Sequence, residues 1–257
     1  VFALITDKKY FEKAKTTIRD LRLKGNWQGP IVLATIDFNL NKNFIDYYSI
    51  TEVKFSPIDK REMLRKIGPN GFTDGDKREI YKINQWEKLH IFDEYFKRWE
   101  RVVYLDAGLR VLDDVKNLLE LDYKNKLLAP IDGTLFKSQI SYANKEIVAN
   151  LISEYGEDIF KKDHMLNCLW VYDTNILDVC NKTNLIEIMN KYPLCKSNEM
   201  TAMNLLFHFK YNLWQPFPEK ALNGKFLFEW SELNRKGTDW REYCLIKYPV
   251  TISMEDC

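Results

Sequence analysis

Arg101-Val102-Val103-Tyr104-Leu105-Asp106-Ala107-Gly108-Leu109-Arg110-Val111-Leu112 is the stretch on which the reading of this chain turns. Val102 to Leu105 is an unbroken apolar run of strand length, the pattern of a strand buried on both faces. It delivers one carboxylate, Asp106, at its carboxyl end. Ala107-Gly108 makes a small-residue turn, and a second short apolar run begins at Leu109. In open α/β sheets ligands bind outside the carboxyl ends of strands. An acid placed there, followed by two residues without bulk, leaves room for a metal ion or a phosphate to approach the backbone.

Upstream, Glu87-Lys88-Leu89-His90-Ile91-Phe92-Asp93-Glu94-Tyr95-Phe96 has helical spacing, with Leu89, Phe92 and Phe96 on one face. The spacing predicts a helix over 80–97. At the amino terminus, Val1 to Thr6 reads as a first buried strand ending at Thr6-Asp7. Phe11, Ala14, Ile18 and Leu21 mark a helix over 10–23, Gly25 and Gly29-Pro30 break it, and Ile31 to Ile36 reads as a second strand. A βαβ opening of this kind predicts a parallel, Rossmann-like sheet. No GxGxxG or GxxxxGK(S/T) follows the first strand, which disfavours dinucleotide and P-loop sites. Gly68-Pro69-Asn70-Gly71 and Asp74-Gly75-Asp76 mark a loop.

Downstream, Leu127 to Ile131 reads as a strand ending at Asp132-Gly133, 144–160 as helical, and Asn167 to Tyr172 as a strand. Asp173 or Thr174 caps a helix running to Lys191, and Ser197 or Asn198 caps another running to Phe209. The stretch 211–257 reads as aromatic-rich and irregular.

A chain of 257 residues, alternating regularly and without a linker, fits one domain over 1–257. Its 38 Lys+Arg and 37 Asp+Glu are mixed along the chain, which argues against a nucleic-acid partner, since that calls for a basic face. No apolar run is long enough to span a bilayer. The five cysteines form no CxxC pair, so a structural zinc site is disfavoured, and reduced thiols in a cytoplasmic protein are the simplest reading. The first residue is Val1 rather than Met, so a removed targeting segment or neighbouring domain stays open. His90, His164 and His208 are isolated from other ligand types at metal-binding spacing.

A lysine-bearing helix, a short basic-aromatic turn, a strand and an Asp, in that order, resemble the nucleotide-sugar-dependent glycosyltransferases of the GT-A fold. The resemblance is to the glycogenin-like branch, in which a Lys-Leu-His helix precedes a Val-Tyr-Leu-Asp-Ala-Asp strand end. It is clearest over 82–132 and continues in order over about 164–210. It implies a Rossmann-like α/β fold with a mixed, mainly parallel sheet flanked by helices. It implies a hexosyltransferase-like enzyme that moves a sugar from a nucleoside diphosphate sugar, UDP-linked by preference, to a hydroxyl of a glycan or protein acceptor.

On the donor side, the resemblance has Thr6 and Asp7 contact base and ribose, Tyr10 stack on the base, and Lys88 sit near the phosphates. Asp106 is the expected metal, phosphate or ribose ligand. A divalent cation, Mn2+ or Mg2+, would bridge the two phosphates as a Lewis acid and wants several oxygen ligands. The family pattern is Asp-x-Asp, and here it is Asp106-Ala107-Gly108, so the second acid is missing and the cation is in question. The family also draws a His ligand from a C-terminal strand. In Cys244-Leu245-Ile246-Lys247-Tyr248-Pro249 a lysine stands there, and a lysine neutralises phosphate directly. Lys247, Lys88 or Arg110 is therefore expected to replace some or all of the metal. Each residue has an ordinary reading as well: Asp106 as a turn cap, Lys247 as a surface residue, Lys88 as a solvated lysine paired with Glu87, Asp93 or Glu94.

Asp132 either accepts hydrogen bonds from the donor sugar or forms an Asp-Gly turn. Leu166-Asn167-Cys168-Leu169-Trp170-Val171-Tyr172 resembles the family's Phe-Asn-Ser-Gly-Val segment beside the sugar and acceptor, with Cys168-Leu169 replacing Ser-Gly. Asn198-Glu199-Met200-Thr201-Ala202-Met203-Asn204 resembles its Asp-Gln-x-x-x-Asn segment. Glu199 would act as general base in an inverting enzyme, or Asn198 and Glu199 would stabilise an oxocarbenium-like state in a retaining one. Both also read as an N-cap with a first-turn acid. Two further functions stay open: a transferase-like module that binds nucleotide or sugar without turnover, and nucleotidyl transfer, which Thr6 to Tyr10 disfavours by lacking a glycine-rich loop.

Overall fold

The computed structural model describes residues 1–67, 80–142, 144–193, 199–230 and 239–247, with the backbone alone at 80–84. The glycine-rich motifs within 68–76 and the helix cap expected at Ser197 or Asn198 lie outside these residues.

The expected βαβ unit is present as β1 (Phe2–Asp7), α1 (Phe11–Leu23) and β2 (Ile31–Ile36), with β1 and β2 parallel. α2 (Lys42–Tyr48), β3 (Ile50–Lys54) and α3 (Arg61–Ile67) extend it. β4 (Arg101–Leu105) returns beside β1, and the turn at 106–108 leads into β5 (Leu109–Val111). Next come α4 (Lys116–Leu119), β6 (Leu127–Ala129), β7 (Ile131–Leu135), α5 (Lys145–Tyr155), β8 (Asp163–Met165) and β9 (Leu169–Asp173). The described chain closes with α6 (Lys182–Lys191), α7 (Glu199–Met203), β10 (Trp214–Pro216), β11 (Phe226–Trp230) and β12 (Tyr243–Lys247).

Seven strands make the main sheet, in the order β10-β6-β9-β4-β1-β2-β3. β4, β1, β2 and β3 run parallel, β10 runs parallel to β6, and β9 runs against both of its neighbours. The sheet is therefore mixed and mainly parallel, with apolar packing on both faces. Val102 and Tyr104 join Trp86, Phe92 and Trp170 on one side, while Val103 and Leu105 join Phe2, Leu4 and Ile18 on the other. That two-sided burial is why β4 reads as an unbroken apolar run rather than an alternation. Trp170 stacks between Tyr104 and Phe92, at 3.8 and 5.4 Å between ring centroids. Truncating it to alanine is expected to cost about 3–5 kcal/mol and to loosen Tyr104.

Four sequence expectations are corrected. The helix over 80–97 is two 3₁₀ segments, Ile80–Phe92 and Glu94–Arg98. Asp93 breaks it by accepting a hydrogen bond from the Tyr95 N–H at 2.9 Å, a local bond that competes with the helical one. The strand over Leu127–Ile131 is cut at Pro130, which has no N–H for a ladder. β6 stays in the main sheet and β7 leaves to pair with β8, so Asp132 and Gly133 lie within a strand and not at its end. The helix from Asp173 to Lys191 is a 3₁₀ turn, Thr174–Asp178, followed by α6, which Asn181 caps. The described residues after 211 include β11 and β12, which form a small sheet with β5 rather than irregular chain. Among the described residues no helix is long and apolar enough to cross a membrane.

Candidate active site

Asp106 leaves the carboxyl end of β4 as the chain turns into β5. Its N–H donates to the Cys168 carbonyl at 2.9 Å and its carbonyl accepts from the Leu109 N–H at 3.0 Å, so the turn is held from both sides. Gly108 sits at φ +89°, in the left-handed region that glycine tolerates and L side chains do not. Its N–H donates to Thr17 Oγ1 at 3.0 Å, and that hydroxyl donates to the Leu109 carbonyl at 2.8 Å, so α1 clamps the turn. The missing second acid thus falls at a backbone position that favours glycine.

The Asp106 carboxylate gathers three donors. The Tyr104 hydroxyl lies 2.6 Å from Oδ1, Lys88 Nζ 3.0 Å from Oδ1, and Lys247 Nζ 2.8 Å from Oδ2. Antiparallel pairing of β12 with β5 sets Lys247 opposite Leu109 and so carries a residue 141 positions away to Asp106. Lys247 is 2% exposed, which rules out the surface reading. Lys88 does not pair with Glu87, Asp93 or Glu94, which instead meet Lys60 and His90, Lys182, and Lys97. Its other partners are Glu199 Oε1 at 3.0 Å and the Asn167 carbonyl at 3.3 Å. Asn167 Nδ2 donates to that same Glu199 oxygen at 2.5 Å.

Burial alone would raise the Asp106 carboxyl, but Lys247 and Lys88 outweigh it and hold it below the usual range. Burial would lower Lys88, and Asp106 and Glu199 outweigh that and hold it charged. For Glu199 burial wins over Lys88 and pushes the carboxyl up to about 7. Among the described residues its Oε2 is buried without a hydrogen-bond partner.

A cavity of about 210 Å³ opens over this cluster. That is less than a whole drug-sized ligand fills, and suits part of one. Thr6, Asp7 and Tyr10 line it from the end of β1, and Lys88, Tyr104, Asp106, Ala107 and Lys247 line it from the other side. Asp7 Oδ1 accepts the Tyr10 N–H at 2.9 Å. Tyr10 is 40% exposed, with Lys13 Nζ 5.4 Å from its ring centroid, and its aromatic ring is a surface on which a base can stack. Two ammonium groups and a hydroxyl along one wall suit an anion with several oxygens.

A divalent cation fits less well. Both Asp106 oxygens are engaged by ammonium groups, Gly108 supplies no ligand, and no three potential metal-ligating side chains stand together among the described residues. Among the described residues, this strand end offers a divalent cation one carboxylate, already held by two ammonium groups.

No protein-family profile and no curated protein sequence matches the chain. Solved structures do. The chain superposes on the bifunctional glycosyltransferase WbbM with a TM-score of 0.58 and 13% identity, over 96% of this chain and 45% of that one. On the galactosyltransferase LgtC, solved with donor and acceptor sugar analogues, the TM-score is 0.60 at 13% identity, over 96% and 86%. On the glycosyltransferase GlyE of Streptococcus pneumoniae TIGR4 it is 0.51 at 14% identity, over 85% and 44%. This chain has the GT-A glycosyltransferase fold. It spans less than half of WbbM and GlyE. At such identities the likeness is one of fold, and no residue role crosses with it.

Within the GT-A frame, the predicted donor residues Thr6, Asp7, Tyr10, Lys88, Asp106, Ala107 and Lys247 line one cavity. Gly108 shapes the turn beneath them. Asn167 and Glu199 stand behind, buried and away from the cavity lining: Glu199 is 0% exposed and touches Lys88. Among the described residues Glu199 contacts Lys88 and Asn167 rather than the cavity. Asp132 does not line the cavity; it lies 3.4 Å from His164 and accepts from Thr134 at 2.6 Å. Arg110 turns the other way, to Asp20. Asn198 lies outside the described residues. Sequence reading missed Tyr104, Lys9, Gln85 and Glu87 on the cavity wall. Tyr104 had a signal, standing two residues before Asp106 and so on the same face of an extended chain.

Proposed function

We propose that the chain is a hexosyltransferase-like enzyme that moves a sugar from a nucleoside diphosphate sugar to a hydroxyl of a glycan or protein. The observation that carries this reading is the cavity at the carboxyl ends of β1 and β4, with Tyr10 on one wall and Lys88, Asp106 and Lys247 on the other, in a GT-A fold. A base stacks on Tyr10 and the diphosphate lies along the lysines. Preference for a UDP-linked donor, and placement in the glycogenin-like branch, rest on Lys88-Leu89-His90 and Val103-Tyr104-Leu105-Asp106-Ala107. The cytoplasmic setting expected from the cysteines belongs to the same proposal.

In the reaction, the bond from the anomeric carbon to the β-phosphate oxygen breaks and its electron pair leaves with the diphosphate. The acceptor oxygen bonds to the anomeric carbon, and its proton passes to the departing phosphate. Cations beside the leaving oxygens stabilise the charge that develops there. The test is release of nucleoside diphosphate from UDP-, GDP-, CDP- and dTDP-sugars, with and without a mixed glycan acceptor. One donor turning over faster with acceptor supports the reading; release from none removes it. Gly108 in place of a second acid favours a second reading, a module that binds the nucleotide without turnover. Tight binding with no release would select it.

A further inference from the structure

Resting on the donor-site reading, a sharper statement concerns what faces the diphosphate. Lys88 comes from the 3₁₀ segment before β4 and Lys247 from the end of β12, elements with no sequence relation. Both ammonium groups arrive at the same carboxylate, at 3.0 and 2.8 Å, and both line the cavity. Each is fixed a second time, Lys88 by Glu199 at 3.0 Å and Lys247 by the Ala107 carbonyl at 3.4 Å. Asp106 has the Tyr104 hydroxyl on it as well, at 2.6 Å. A carboxylate so engaged acts as the anchor for two cations set side by side. Two residues on, Gly108 holds a φ of +89°, a conformation that favours glycine.

We propose that Asp106 is a lysine-aligning residue rather than a metal ligand, and that Lys88 and Lys247 bind the donor diphosphate directly, without a divalent cation. Lysine binds phosphate as a point charge, and charge-assisted N–H···O bonds to it are short and strong. Two of them, held in place before the ligand arrives, supply the positive charge that a bridging ion would bring. No cation need be recruited, and none of the fixed groups has to reorganise when charge develops on the leaving oxygens.

The experiment is titration calorimetry of the whole chain with inorganic pyrophosphate and with UDP, GDP, CDP and dTDP, in EDTA and in manganese. Pyrophosphate and one nucleotide are expected to bind in EDTA within about threefold of their affinity in manganese, since the charge is built in. Lys247→Met should weaken both by about tenfold to a hundredfold in either buffer. Asp106→Asn removes the anchor that sets the two lysines in place and should weaken binding of both ligands by about threefold to tenfold in EDTA, with manganese giving no recovery. Binding that vanishes in EDTA and returns with manganese overturns the proposal and leaves the donor reading standing. So does EDTA binding that ignores Lys247→Met in a variant that still melts cooperatively. Binding of no nucleotide in either buffer overturns the donor reading itself. Should a variant fail to fold, the EDTA and manganese titrations of the parent decide alone.

Discussion

Arg110 and Asp106 lie four residues apart, and the buried charge sites they belong to are built differently. Arg110 on β5 meets Asp20 on α1 with Nε on one carboxylate oxygen and Nη2 3.3 Å from the other, and both side chains are buried. A planar fork on a carboxylate is a closed arrangement that stitches a helix to a strand. Asp106 instead takes two point charges and a hydroxyl, and all four side chains line a cavity. The same residue classes thus give a rivet in one place and a binding surface in the other. What separates them is the shape of the cation and whether a ligand can reach it.

The largest expected effect tests the rivet. Arg110→Met leaves Asp20 buried without its guanidinium and should destabilise the chain by about 3–5 kcal/mol in urea denaturation. Nucleotide affinity should not change. Lost affinity with full stability would mean that the two sites are not separate.

Next comes the acid behind the lysines. The folded Glu199 carboxyl sits at about 7 against an ordinary 4.5. The native state therefore holds its proton more tightly than the unfolded chain does. This contribution to stability is complete below pH 4.5 and is lost as pH rises through 7, by about 3 kcal/mol at 1.36 kcal/mol per unit. Glu199→Gln lacks the term, so its stability should gain on the parent by about that much between pH 4 and pH 8. A difference that stays flat across this range would contradict a burial-raised carboxyl.

Lys88→Met probes the binding surface itself. It should weaken nucleoside diphosphate binding by about 1.5–3 kcal/mol, or tenfold to a hundredfold, measured by competition with a fluorescent nucleotide. An unchanged constant would turn Lys88 into a second rivet. Smallest is Gly108→Ala, which forces a side chain to φ +89° beside Lys13 and should cost about 1–2 kcal/mol in thermal melting.

Much of the donor wall was legible because it follows from strands. β1, β2 and β4 are apolar on both faces, so their ends at Thr6-Asp7 and Asp106 could be placed from the sequence. Tyr10 follows one turn later. Lys247 was reached only through resemblance, since nothing local tells a lysine that strand pairing will bring it to Asp106 from 141 residues away. Glu199 was readable as a first-turn acid, but its complete burial comes from packing behind Lys88. Asp132 was misplaced because Pro130 cuts the strand before it and sends β7 to another sheet. β11 went unread although Phe226, Phe228 and Trp230 alternate with Leu227 and Glu229, because five residues are too short a window to fix the period, and β12 has no alternation, being apolar on both faces from Cys244 to Ile246.

The central claim is that the cavity at the ends of β1 and β4 takes a nucleoside diphosphate. A thermal-shift panel with UDP, GDP, CDP and dTDP tests it most directly. At about a hundredfold over its dissociation constant a ligand adds roughly 2.7 kcal/mol, which for a chain of this size is about 5–10 °C. We expect a shift of that size for one of the four, abolished by the paired substitution Lys88→Met and Lys247→Met. No shift with any of them, at any concentration up to saturation of the assay, would contradict the account.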